Sequence, residues 1–324
     1  MSTLPAIAVN VNNGLIASAP PLAQHADRFL GWFKFVRRRS DNTLAAYGRD
    51  LSSFLAFASG AGLERPADVN FEHIELYLGA IQHERGVSAR TANRHLHALR
   101  SWWTWMKRAG LATDNPAAAC FVLPTAKRMP EYLSLPEQDR GLASLGQRRD
   151  LLGRRDYALI GTGLLTGLRN GELGRLQLAH LDLEAGALRV IQGKGRKDRE
   201  VPLVPRLAAI LRPYLAETRP ALLGRQPSVY VFVRTGPWSY TARTDQPLGG
   251  KAIFYLVRAA LTPLIGRPVH PHMLRHSFAT RLRSNGADLQ LIQEALGHAS
   301  IVTTTMYAHI STPQRLADLA RLLE

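Results

Sequence analysis

The sequence predicts a mainly α-helical protein of two domains with one small β-hairpin. Apolar residues recur at helical spacing through most of the 324 residues. An irregular, proline-containing stretch separates two helical regions, and one pair of alternating segments flanks a glycine-rich turn. We therefore predict a flexible N-terminal tail at residues 1–24, a helical domain at 25–115, a linker at 116–132 and a second domain at 133–324.

Two helix starts mark the first domain. Ser40 and Ser88 each precede a run whose apolar residues share one face, and a serine at this position caps the free N–H groups of the first turn. The second run contains Trp102, Trp103 and Trp105, which we interpret as core residues, with base stacking as the alternative. Its arginines are suited to DNA phosphates or to solvent, and the candidates are Arg90, Arg94 and Arg100.

The composition indicates a polyanionic partner. The chain carries 41 Lys+Arg against 25 Asp+Glu, a net charge of +16, as proteins that bind nucleic acid often do. A ribosome-associated or membrane-surface protein would show a similar excess. Cys120, the single cysteine, excludes an internal disulfide framework and fits a reducing compartment. No apolar run is long enough to span a bilayer, and residues 1–24 lack the basic start of a signal peptide.

The second domain begins with a candidate phosphate-binding arginine and a hairpin. One helix ends at Gly167 and the next begins near Asn170, so Arg169 lies in the turn between them. Glu172, three residues later, would hold its guanidinium for phosphate, and a purely local salt bridge is the alternative. Residues 187–191 and 199–203 alternate as strands do around the cationic tip Gly-Lys-Gly-Arg-Lys-Asp.

The last third of the chain groups residues that suit phosphate chemistry. His272 and Arg275 are three residues apart and share one helix face, and Pro271 suits the helix start, where backbone N–H groups attract anions. His298 and Tyr307 follow. A tyrosine hydroxyl attacks a phosphate diester usefully only where cations and a base surround it. Taken singly, these residues would be ordinary turn or core residues.

In their order, these segments resemble the tyrosine recombinase (phage integrase) family, especially its Xer-like bacterial members. The resemblance lies in Thr-Gly-Leu-Arg ending at Arg169, Gly-Lys-Gly around Lys194, His-Met-Leu-Arg-His-Ser-Phe-Ala-Thr from His272, and Leu-Gly-His ending at His298, followed by Tyr307. Residues 40–51 resemble the helical core-binding domain of the family. The resemblance implies a two-domain, C-shaped clamp around DNA.

The resemblance also implies how the scissile phosphate is held and attacked. Arg169, Arg275 and His298 would bind its non-bridging oxygens. Tyr307 would attack in line, leaving a 3′-phosphotyrosyl link and a free 5′-hydroxyl. The energy of the broken diester would be kept in that link, so the reaction needs neither ATP nor another cofactor, and no metal ion.

Proton transfer is assigned by the same resemblance. His272 would act as general base and Lys194 as the acid that protonates the leaving 5′ oxygen, with Lys197 as the competing acid. Glu172 would support the site without reacting. Further contacts to the DNA backbone are expected from the basic residues of both domains and the linker, namely Arg90, Arg94, Arg100, Lys127, Arg128, Arg196 and Lys197.

The implied partners are double-stranded DNA and further copies of the chain. A run from Pro313 carries an apolar stripe, and in the family such a terminal helix packs into a neighbouring protomer; docking within the chain is the alternative. We expect a homo-tetramer, or a hetero-tetramer with a sister recombinase, in the cytoplasm at the nucleoid and away from membranes. A type IB topoisomerase and an inactive DNA-binding protein of the same fold are the alternative functions.

Overall fold

The computed structural model describes residues 21–38, 40–126, 131–191, 198–236, 239–243 and 246–297. The chain divides into two compact units, Met1–Arg128 and Met129–Glu324. Both units consist mainly of helices, and the strands of the described residues all lie in the second. This confirms the prediction of a mainly α fold with a small β-hairpin.

Helices make up most of the described part of the first unit. Ser40 and Ser88 accept hydrogen bonds from backbone N–H groups three residues on, at 3.3 Å each, which confirms the two predicted caps. The first helix begins at Pro21, inside the segment 1–24 assigned to the tail. Leu22 is buried, and its N–H donates to the carbonyl oxygen of Glu64 at 3.1 Å, so this segment is packed against the unit. The helices are α1 (Pro21–Phe35), α2 (Asp41–Gly60), α3 (Phe71–Arg85) and α4 (Ala89–Arg108).

Aromatic side chains fill the core of the first unit. Trp102 and Trp103 are each 0% exposed, which confirms core packing over base stacking for both. The ring of Phe54 stands edge-on to that of Trp103, with centroids 5.5 Å apart, a favourable geometry for aromatic pairs. Ala117 and Cys120 are also buried in this core, so the packed unit extends into the segment assigned to the linker.

The second unit contains a small three-stranded sheet beside its helices. Strands β2 (Ala187–Val190) and β3 (Arg199–Pro202) are the predicted hairpin, and β1 (Leu181–Asp182) adds a third antiparallel strand. A second antiparallel pair, β4 and β5, is present in addition to the one hairpin that the sequence predicts. The strands are β1 (Leu181–Asp182), β2 (Ala187–Val190), β3 (Arg199–Pro202), β4 (Arg234–Gly236) and β5 (Ser239–Arg243).

The core of this unit is centred on one helix, α6, which is buried on every side from Ala158 to Thr166. Gly163 lets it approach α11 closely, because a Cβ there would lie 3.0 Å from a methyl group of Leu274. The end of α6 and the start of α11 therefore meet. The helices are α5 (Leu135–Gly146), α6 (Leu151–Thr166), α7 (Asn170–Gly174), α8 (Pro205–Pro213), α9 (Arg219–Leu223), α10 (Gly250–Ile265), α11 (Pro271–Ser284) and α12 (Leu289–Leu296).

Candidate active site

The turn that ends α6 places Arg169. Gly167, the C-cap, has φ 62°, a left-handed conformation that glycine adopts without steric cost. Arg169 comes directly before α7, which contains Glu172. The Glu172 carboxylate accepts hydrogen bonds from the backbone N–H of Arg169 at 2.9 Å and from the Nη1 of Arg169 at 2.8 Å. The contact between Arg169 and Glu172 that the sequence predicts is therefore formed.

Arg275 lies on α11 and is only 5% exposed. Its Nη1 donates to the carbonyl of Gly167 and its Nη2 to the carbonyl of Leu296, both at 2.7 Å. Burial, and then the charge of Arg169, lower the pKa of Arg275 to about 10. Its guanidinium still carries a full charge at neutral pH.

Arginines also hold the C-terminal end of α12. The last carbonyl groups of a helix have no partner within it and carry partial negative charge. Here three consecutive carbonyl oxygens each accept from an arginine, which brings distant parts of the sequence to one place. The pairs are Ala295 with Arg199 at 3.1 Å, Leu296 with Arg275 at 2.7 Å, and Gly297 with Arg169 at 2.6 Å.

Arg199, the first residue of β3, is a member of this cluster that the sequence analysis did not select. Its Nη2 donates to Glu172 Oε2 at 2.8 Å and its Nη1 to Oε1 at 3.2 Å. The sequence did contain a signal that this arginine faces inward. Side chains alternate along a strand, and Arg199 therefore shares the face of the buried Val201. A buried arginine needs acceptors for its N–H groups, and Glu172 supplies a carboxylate for Arg199.

Glu172 is the common acceptor of this cluster. Burial raises the pKa of its carboxyl, but the hydrogen bonds and charge of Arg199, together with hydrogen bonds from Arg169, outweigh burial and hold it at about 2. The carboxylate is therefore ionised at all physiological pH values. With Arg275 included, three arginines face one glutamate, so the cluster keeps a positive charge that suits a phosphate diester.

His272 lies on the first turn of α11, where the charges of Arg169 and Arg275 affect its pKa. Burial lowers its pKa, as do Arg275, His270 and Arg169. Its ring stands at 73° to that of His276, with centroids 5.7 Å apart. The imidazole is consequently neutral at neutral pH, the state that can accept a proton.

The structure thus brings Arg169, Glu172, His272 and Arg275 together. The residue before His298 is part of the same cluster, since Gly297 accepts from Arg169. Seven other predicted site residues lie outside the described part of the chain, namely Lys127, Arg128, Lys194, Arg196, Lys197, His298 and Tyr307.

The three candidate arginines of α4 differ in their surroundings. Arg90 is exposed near the start of the helix. Arg94 is half-exposed and donates to the buried carboxylate of Asp50 at 2.8 Å. Arg100 instead donates to backbone carbonyls, including that of Ala117 at 2.9 Å, so its guanidinium fastens the chain that follows α4. This favours Arg90 and Arg94 over Arg100 as phosphate contacts.

Among the described residues, no group of His, Cys, Asp and Glu side chains has the arrangement of a metal site. None of the helices found there combines the length and apolar character needed to cross a bilayer.

Known proteins resemble the chain over most of its length. Residues 143–313 match the phage integrase family, and residues 26–110 match the phage integrase N-terminal SAM-like domain. The chain is 34% identical to the tyrosine recombinase XerC of Pseudomonas syringae pv. tomato, over 89% of this chain and 92% of that protein. It is also 34% identical to the tyrosine recombinase XerD of Pseudomonas aeruginosa, over 90% of this chain and 94% of that protein.

Solved structures share the fold. The integrase of the transposon Tn1549, in complex with circular intermediate DNA, gives a TM-score of 0.66 at 18% identity over 88% of this chain and 93% of that chain. The XerH site-specific recombinase bound to its difH substrate gives 0.62 at 24% identity over 85% and 79%. The chain therefore belongs to the phage integrase family, the tyrosine recombinases that cut and rejoin DNA strands at specific sites with a tyrosine nucleophile.

Proposed function

We propose that Tyr307 is the nucleophile of this recombinase and that Arg169, Arg275 and His298 hold the phosphate it attacks. The observation that carries the proposal is the convergence of both arginines on the end of α12, directly before His298. A guanidinium has five N–H donors, and each of these arginines uses two in the described contacts, which leaves three. Both arginines can therefore donate to phosphate oxygens while they keep their hydrogen bonds within the protein.

The proposed clamp stabilises the charge that develops on the pentacoordinate phosphorus. Arg169 and Arg275 are fixed before DNA arrives, so little reorganisation is required during the reaction. Preorganised donors of this kind are worth about 10² to 10³ in rate each. Arginine suits the task better than lysine, because its planar fork matches two phosphate oxygens at once.

Proton transfer completes the proposed reaction. The phenol proton of Tyr307 passes to His272, whose lowered pKa keeps it in the basic form. The new bond joins the phenolic oxygen to phosphorus, and the bond to the 5′ oxygen breaks. Lys194, or Lys197 in the competing assignment, gives that oxygen its proton. Reversal with a different 5′-hydroxyl rejoins the strands.

Double-stranded DNA is the partner that membership of the family implies. We further propose that four copies act together on paired sites, either as one kind of chain or with a sister recombinase, joined through the segment from Pro313. The protein would then work in the cytoplasm at the nucleoid. We propose that the strand exchange serves integration or excision of a mobile element, resolution of plasmid multimers, or resolution of chromosome dimers.

A nicked duplex tests the nucleophile. A binding site is first selected from a randomised duplex pool, and a nick beside the cleavage position then lets the short 5′-hydroxyl strand diffuse away. The unmodified protein should accumulate a covalent DNA adduct, whereas Tyr307→Phe should bind equally well and form none. An adduct in that variant would remove the assignment. With paired intact sites, exchanged products distinguish a recombinase from a topoisomerase, which yields only relaxed DNA.

A further inference from the structure

Glu172 receives hydrogen bonds from two arginines, and only one of them belongs to the proposed phosphate clamp. Arg169 donates to both oxygens, through its backbone N–H and Nη1, and Arg199 donates to both through Nη2 and Nη1. The carboxylate is buried, with a side-chain exposure of 8%. Its single negative charge is therefore divided between two guanidinium groups.

This division determines how much positive charge Arg169 presents to DNA. A buried carboxylate paired with one arginine would neutralise it and direct its donors away from phosphate. A second arginine on the same carboxylate restores a net positive charge. The side chain of Arg199 is 11% exposed against 21% for Arg169, so Arg199 is the less accessible of the two arginines.

Arg199 also connects β3 to the end of α12. Its Nε donates to the carbonyl of Ala295 at 3.1 Å, and its aliphatic carbon Cδ lies against Gly297, where a Cβ would come within 3.0 Å. The same guanidinium thus binds both Glu172 and the Ala295 carbonyl near the end of α12.

We propose that Arg199 is a positioning residue of the cleavage site, which takes up the charge of Glu172 so that Arg169 remains available to the scissile phosphate. The inference rests on the proposed role of Arg169. Arg199 itself does not touch the phosphate. Its removal should reduce the rate of strand cleavage more than the affinity for DNA.

The test measures single-turnover formation of the covalent adduct at saturating protein, together with DNA affinity and thermal stability. Arg199→Ala should slow cleavage by about 10-fold to 100-fold, with affinity changed less than about threefold. Arg199→Lys should lie between this variant and the unmodified protein. Arg189→Ala is the matched control, because Arg189 lies on β2, is 62% exposed and forms an ion pair with the half-exposed Glu200 at 3.4 Å. It should cleave at the unmodified rate.

A double variant separates this role from simple support of the fold. If Arg199 acts by holding the charge of Glu172, then Glu172→Gln removes the charge that would capture Arg169. Arg199→Ala/Glu172→Gln should then cleave at least as fast as Arg199→Ala alone. The inference would be overturned if the rate losses of the two single variants multiplied in the double variant. It would also be overturned if a folded Arg199→Ala protein cleaved at the unmodified rate.

Arg169→Ala in the same assay separates a failure of the proposed phosphate clamp from a failure of the proposed role of Arg199. If Arg169→Ala cleaves normally, the proposed clamp itself fails. If Arg169→Ala is impaired and Arg199→Ala is not, only the role of Arg199 is refuted.

Discussion

Arg275 and Leu296 are joined by a hydrogen bond of 2.7 Å from the guanidinium Nη2 to the backbone carbonyl oxygen. The same guanidinium reaches the carbonyl of Gly167, so one side chain connects the turn after α6 to the end of α12. A single cation thereby organises the peptide groups on both sides of the proposed phosphate position.

Replacing Arg275 with lysine should separate its charge from its shape. A lysine keeps the charge but presents a compact ammonium that cannot reproduce the fork geometry. We expect Arg275→Lys to reduce the single-turnover rate of cleavage by about 10² to 10³ and to lower the melting temperature. Arg283→Lys, an exposed arginine on the same helix, is the control and should alter neither. Equal rates for Arg275→Lys and the unmodified protein would contradict the clamp.

Gly167→Ala should destabilise the protein by about 2 to 5 kcal/mol, from the left-handed φ and a steric clash together. A Cβ at this position would lie 2.9 Å from Cγ of Phe278. Gly266 also caps a helix, with φ 81°, but a Cβ there would meet nothing within 4 Å. Gly266→Ala should therefore lose only about 1 to 2 kcal/mol. Urea unfolding measures both, and equal losses would exclude the clash as the cause.

The pH dependence of cleavage should report His272. Because burial and the neighbouring cations lower its pKa, the base form persists below pH 6.5. We expect the adduct rate to rise with pH through a midpoint below 6.5, and this midpoint gives the pKa of His272. In His272→Gln the rate should fall by about 100-fold or more and lose this inflection, whereas His276→Gln should keep it. An inflection that persists in His272→Gln belongs to another group.

The acid that protonates the leaving group can be identified chemically. A 5′-bridging phosphorothiolate releases a thiolate, which needs no proton because a thiol is far more acidic than an alcohol. Lys194→Ala should cleave the ordinary diester slowly and the phosphorothiolate at close to the unmodified rate. Lys197→Ala should cleave both normally. Rescue of the second variant, and not of the first, would transfer the role to Lys197.

A buried polar cluster in the first unit predicts a pH effect on stability. His95 Nε2 lies 3.2 Å from Asp50 Oδ1, and its Nδ1 lies 2.7 Å from the hydroxyl of Tyr77. Burial raises the pKa of Asp50 to about 6 and lowers that of His95 to about 4. As pH rises from 4 to 6, the folded state therefore gains stability through His95 and loses it through Asp50, and the two effects oppose each other.

Removing one partner should expose the effect of the other. In Asp50→Asn only His95 remains, and its folded pKa is below its unfolded value of 6.5. The free energy of unfolding should then rise between pH 4 and 6.5, by up to about 3 kcal/mol relative to the unmodified protein. His95→Gln should show the opposite slope between pH 4 and 6. Urea unfolding across this range measures both, and parallel pH profiles for the two variants would contradict the pairing.

Local contacts of the site could be predicted from the sequence, and distant ones could not. Glu172 lies three residues after Arg169, so helical spacing alone brings them together. The contact of Arg199 with Glu172 spans 27 residues and that of Arg275 with Gly167 spans 108, and both depend on how strands and helices are arranged in the unit. Arg100 shows the reverse case, because nothing in its spacing indicates that backbone carbonyls occupy its guanidinium.

The arginine contacts at the end of α12 also have a mechanical consequence. Gly297 is followed directly by His298, so a displacement of the downstream chain reaches Arg169 through one carbonyl group and Arg275 through the preceding one. Any movement of the last turn of α12 would therefore displace the two proposed phosphate-binding arginines together, and not one at a time.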